Sequence, residues 1–109
     1  MMRRKPQFVT NQLKIADLTL DRDTRIVTRA GKEISLSSKE FMVLECLMRN
    51  QNIVMTRQQI EQNAWNYDYE GGSNVIDVYI RYLRKKIDAG YEKKLIHTVR
   101  GTGYVMREE

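Results

Sequence analysis

The run Ser73-Asn74-Val75-Ile76-Asp77-Val78-Tyr79-Ile80-Arg81-Tyr82-Leu83-Arg84-Lys85-Lys86-Ile87 repeats its aliphatic residues every third or fourth position. That is the period of a helix with one buried stripe. At about 100° per residue, Ile76, Ile80, Leu83 and Ile87 fall within about 60° of one another. Asn74, Val78, Arg81 and Lys85 lie on the opposite side, with Tyr82 at its border. Past Gly90, the stretch Leu95-Ile96-His97-Thr98-Val99-Arg100-Gly101-Thr102-Gly103-Tyr104-Val105-Met106 reads as a two-stranded hairpin with an arginine at its tip. Gly101 and Gly103 suit the unusual backbone angles of such a tip.

The formal net charge is +5, and it is unevenly placed. From Asn74 to Arg107 there are eight Lys and Arg against three acids, whereas residues 37–73 are slightly acidic. The C-terminal third therefore favours a polyanion. Hydrophobic residues at 41% and charged residues at 30% suit a soluble globular domain, and 109 residues support one core. No apolar run is long enough to span a bilayer and no signal peptide opens the chain, so the expected compartment is the cytoplasm. A single cysteine and a single histidine do not make a metal site, and Cys46 sits in an apolar run that favours a buried, inert thiol. Neither metal nor cofactor is expected.

Upstream, residues 1–11 read as a tail and residues 12–107 as one domain, with residues 108–109 as a C-terminal tail. Short apolar stretches around Leu13/Ile15, Leu18/Leu20, Ile26/Val27 and Ile34/Leu36 are separated by Asp21-Arg22-Asp23-Thr24 and Ala30-Gly31. This is the pattern of a small antiparallel meander, with the aspartates serving the turn. Ser37-Ser38-Lys39-Glu40 fits a capping box, so a helix starts near Ser38 and presents Phe41, Leu44, Leu47 and Met48 to the core. Ile53-Val54-Met55 reads as a strand, and Thr56 as the cap of a second helix closed by Trp65, a core anchor. Asn66-Tyr67-Asp68-Tyr69-Glu70-Gly71-Gly72 is a loop. Its two tyrosines suit partner binding or loop packing equally.

Three features set the third helix apart from an ordinary solvated surface. Val78 and Tyr82 place apolar groups among cations, where thymine methyls and sugars are contacted. A short helix and a loop precede it, as in a helix-turn-helix unit whose last helix fits a major groove about 12 Å wide. Arg100, on a thin ribbon, is shaped to enter a minor groove.

With these residues in place the chain resembles the effector domain of OmpR/PhoB-type response regulators, over roughly residues 12–107. The segments Asp77-Val78-Tyr79-Ile80-Arg81-Tyr82-Leu83-Arg84-Lys85-Lys86-Ile87 and Thr98-Val99-Arg100-Gly101-Thr102-Gly103-Tyr104 carry the likeness. The wording of the helix is similar to the CovR and ArlR branch. The resemblance implies an α+β winged helix-turn-helix fold with an N-terminal four-stranded antiparallel sheet, three helices and a C-terminal β-hairpin wing. It also implies a transcription factor controlled by phosphorylation of a preceding receiver domain, which this chain lacks. The resemblance further implies two copies head to tail on direct repeats of double-stranded DNA, and a loop, here holding Asn66, Tyr67, Asp68, Tyr69 and Glu70, that can contact RNA polymerase.

By position, the likeness assigns Val78 to a thymine methyl, Arg81 and Arg84 to phosphates, Thr98 to the DNA backbone and Arg100 to the minor groove. With Asn74, Tyr82, Lys85 and Thr102, these make up the expected DNA-binding set. Many family members carry a base-reading arginine where Tyr82 stands and a histidine where Tyr79 stands, so base readout there is open. A winged-helix module for protein partners is the competing reading. An enzyme has no catalytic cluster to stand on.

Overall fold

A computed structural model of the chain describes residues 12–65 and 74–108. The expected tail and the loop residues Asn66, Tyr67, Asp68, Tyr69 and Glu70 lie outside the described residues, as do the side chains of Trp65 and Asn74.

The chain opens with β1 (Gln12–Ile15), β2 (Leu18–Asp21), β3 (Val27–Arg29) and β4 (Lys32–Ile34), paired antiparallel in sequence order. Local chemistry sets the turns. Ala30 and Gly31 both take positive φ, 56° and 80°, which closes the β3–β4 hairpin with the twist its strands need. Asp21 accepts hydrogen bonds from the Asp23 and Thr24 amides at 2.9 and 3.1 Å, so its carboxylate serves the turn. Strict alternation then buries Leu18, Leu20, Val27 and Arg29 on one face.

The helix α1 (Ser38–Arg49) starts where the capping box places it. Ser37 Oγ accepts from the Glu40 amide at 3.2 Å while Glu40 Oε1 accepts from the Ser37 amide at 2.9 Å. Phe41, Val43, Leu44, Cys46, Leu47 and Met48 are buried in the core, and burial pushes the Cys46 thiol up to about 11. Next come β5 (Met55–Thr56) and α2 (Arg57–Trp65). Thr56 caps α2 through a second reciprocal pair, with Gln59 N to Thr56 Oγ1 at 3.0 Å and Thr56 N to Gln59 Oε1 at 2.9 Å.

The strand is shorter and later than its apolar run suggests. Asn52 adopts φ 69° and donates to the Met106 carbonyl, while the Ile53 amide returns to Asn50. Ile53 and Val54 are thereby held in a turn and exposed, and pairing begins at Met55.

The third helix, α3 (Asn74–Leu83), buries Ile76, Ile80 and Leu83 as its period predicts. It does not continue as one regular helix to Ile87. Arg84–Asp88 form a π turn, closed by a bond from the Ala89 amide to the Arg84 carbonyl at 2.7 Å. The wider turn brings both Ile87 and Asp88 inside, and Asp88 then accepts from the Leu95 and Ile96 amides, each at 3.1 Å.

Those amides lead into β6 (Ile96–Val99) and β7 (Gly103–Met106), which form a three-stranded sheet in the order β5-β7-β6. Gly101 takes φ 78° at the tip, as the sequence suggests. Gly103 does not take positive φ, and its role is different. A Cβ there would stand 2.0 Å from the Met55 carbonyl oxygen, so glycine is what lets β7 lie against β5.

Arg29 joins the first sheet to the π turn and to the segment that leads into β6. It is 1% exposed, yet its guanidinium is fully engaged. It donates to Asp17 at 2.6 Å, Asp88 at 3.3 Å, the Lys93 carbonyl at 2.6 Å and the Ile87 carbonyl, and it stacks on Tyr91 at 4.4 Å. A buried cation needs such complete pairing.

Candidate nucleic-acid interface

Arg81 at the end of α3 and Arg84 and Lys85 of the π turn border a groove with Lys94 and the β6 residues His97 and Thr98, so helix and hairpin share a cationic surface. Arg81, Tyr82 and Lys85 are exposed along the helix, with Val78 half-buried beside them. The Tyr82 ring, 42% exposed, is steadied edge-on by Tyr79 at 6.0 Å between centroids. Thr98, Arg100 and Thr102 are exposed on the hairpin, where the Thr102 amide returns to the Val99 carbonyl at 3.0 Å and fixes the tip.

The four cations of α3 and its π turn, Arg81, Arg84, Lys85 and Lys86, divide by what they touch. Lys86 turns back to Glu40 at 2.7 Å. Burial tends to raise the Glu40 carboxyl, but the Lys86 ammonium and the hydrogen bonds from Ser37 outweigh it and hold Glu40 below its ordinary value. Arg84 donates to Thr98 Oγ1 at 2.6 Å and to the Ile96 carbonyl at 3.3 Å, tying the π turn to β6. Arg81 and Lys85 face outward and make no ion pair among the described residues. The structure thus brings Arg81, Lys85 and Thr98 to one groove with Tyr82 beside Lys85, leaves Arg100 and Thr102 exposed on the hairpin and Val78 half-buried on the helix, and gives Arg84 an intramolecular task. Of Asn74 it describes the backbone, at the first position of α3.

The sequence reading missed a cluster on the flank of the helix, one turn before Arg81. Asp77 Oδ1 accepts from Arg57 Nε at 2.9 Å and from the Tyr104 hydroxyl. The Tyr104 ring lies beneath two guanidiniums, Arg57 at 5.5 Å and Arg84 at 5.6 Å. Burial works to raise the Asp77 carboxyl, but the bonds from Tyr104 and Arg57, with the charges of Arg57 and Arg81, keep it lowered. An acid on an otherwise cationic helix was the available signal. Its partners are 20 and 27 residues away.

A four-stranded sheet, three helices and a terminal hairpin flanking the last helix define a winged-helix module. The family described as "Transcriptional regulatory protein, C terminal" matches residues 31–106, and the chain belongs to this family of OmpR/PhoB-type DNA-binding domains. It is a family of DNA-binding modules, not of enzymes.

Transcriptional regulatory protein TrcR of Mycobacterium tuberculosis is 53% identical over 95 residues, covering 87% of this chain and 37% of its own. YkoG of Bacillus subtilis, a transcriptional regulatory protein, is 45% identical over 103 residues, covering 94% and 45%. The chain thus spans less than half the length of the curated relatives it matches. Among solved structures, the Klebsiella pneumoniae RstA DNA-binding domain in complex with the RstA box superposes with a TM-score of 0.78 at 31% identity, covering 90% of this chain and 98% of that one. The response regulator DrrB, a Thermotoga maritima OmpR/PhoB homologue, gives 0.78 at 30% identity, covering 89% and 44%.

Proposed function

We propose that this chain reads double-stranded DNA by sequence as the output module of a two-component response regulator, with α3 in the major groove and the hairpin tip in an adjacent minor groove. The observation that carries this reading is the division of cations along α3 and the π turn that continues it. Arg84 and Lys86 are used inside the fold, while Arg81 and Lys85 face outward in line with Val78 and Tyr82. Cations supply affinity through phosphates, and the apolar groups between them supply discrimination at base edges. Tyr82, where an arginine is common, favours thymine methyl and sugar contact over a bidentate guanine contact.

In the cell the module works in the cytoplasm with a receiver domain, binding as tandem copies on direct repeats. The segment containing Asn66, Tyr67, Asp68, Tyr69 and Glu70 is available to RNA polymerase. Relatives more than twice as long and named as regulators support this setting.

Selection of bound sequences from a random duplex library tests the reading. Enrichment of a motif with a repeated half-site is expected. Arg100→Ala should then lose preference for A·T-rich flanks over G·C-rich ones, because a narrow A·T minor groove is what attracts an inserted arginine. Failure to enrich any motif would favour a protein partner for the same surface.

A further inference from the structure

The outward face explains contact with DNA, but not what fixes the helix and the hairpin at one spacing. A major-groove element and a minor-groove element on one duplex must be held at a set separation to act together. Two connections span them, one at each end of α3. In its first turn, Asp77 takes the Tyr104 hydroxyl of β7 and the Arg57 guanidinium of α2 on a single oxygen. In the π turn, Arg84 takes Thr98 Oγ1 and the Ile96 carbonyl of β6. The two are not independent, because Arg57 and Arg84 both lie against the ring of Tyr104. That ring is 5% exposed and sits in a strand pressed against β5 at Gly103.

We infer that Asp77, Tyr104, Arg57 and Arg84 form a lock that sets the distance between the major-groove helix and the wing, and so act as positioning residues for DNA recognition. The lock makes Arg84 a helix-to-wing strut before it is a phosphate ligand. Its recognition role rests on the function proposed above; its mechanical role does not.

Each connection is polar and sits at the surface of the core, not within it. Tyr104→Phe removes the hydroxyl bond to Asp77 and keeps the ring under both arginines. Asp77→Asn keeps the size of the acceptor and removes the charge that holds Arg57. Neither change opens a cavity. If Tyr104→Phe fails to fold, Asp77→Asn carries the same test.

The test has two arms. Spin labels at Lys85→Cys and Thr102→Cys report the helix-to-wing distance without DNA, and the buried Cys46 thiol does not compete for label. A single narrow distribution in the parent chain that broadens in Tyr104→Phe and in Asp77→Asn is expected. Unchanged distributions would overturn the lock.

The second arm is a double-mutant cycle on the selected duplex. Arg100→Ala should weaken binding by about tenfold in the parent chain, a loss of about 1.4 kcal/mol. In the Tyr104→Phe background the same change should weaken it by less than about threefold, since a loosened wing has already lost the tip contact. Equal losses in both backgrounds would overturn the positioning role even if the distances broaden. A parent chain that selects no duplex would overturn the DNA reading and the recognition role with it, while the label arm still judges the lock.

Discussion

Gly103 shows how much one residue can carry without any special backbone angle. Its missing side chain is the space into which the Met55 carbonyl fits. Gly103→Ala should separate β5 from β7 and cost about 1–3 kcal/mol, the range for forcing an extra carbon into a packed site. A denaturant midpoint within error of the parent's would contradict this. The sequence shows two glycines in the hairpin and gives no means of distinguishing them. Gly101 is used for φ and Gly103 for close approach, and close approach depends on a strand distant in sequence. Tyr104 is equally opaque, since an aromatic in a hairpin strand looks like core whether or not its hydroxyl reaches an acid on a helix.

At the scale of elements, periodicity was a faithful guide wherever one face meets the core. Ile76, Ile80, Leu83 and Ile87 are all buried, and both capping boxes stand where the serine and threonine put them. It was a poor guide where tertiary contacts reset the backbone, as at the π turn and at Ile53 and Val54. Lysine and arginine on one helix also look alike in sequence while serving different ends. Arg81→Ala and Lys85→Ala should each reduce the slope of log affinity against log salt by about 1. Lys86→Ala should leave the slope nearly unchanged and instead cost about 1 kcal/mol of stability, because it strips Glu40 of its partner. A slope change for Lys86→Ala as large as for Lys85→Ala would place Lys86 on the DNA side.

Over the whole molecule, one apolar core is tied together at its margins by a few charged junctions, and breaking a buried one leaves a charge unpaired. Arg29→Met should cost about 3 kcal/mol, since it leaves the Asp88 carboxylate buried without its cation. Cooperative unfolding at the parent's midpoint would count against it. Asp77 and Glu40 have folded-state values below those of free carboxyls. Their contribution is therefore complete above the ordinary carboxyl range near ~4 and is lost as pH falls through the lowered values. Urea midpoints should decline below about pH 4, and less steeply in Asp77→Asn. Arg29 bonds to residues up to 64 positions away, so the turns of the meander and the base of the hairpin are parts of one joint. A synthetic peptide copying the last helix and hairpin would keep Val78, Arg81, Tyr82, Lys85, Thr98, Arg100 and Thr102. It would lack the guanidinium that neutralises Asp88 and holds the Ile87 and Lys93 carbonyls, and it should be a poor mimic until something replaces that charge.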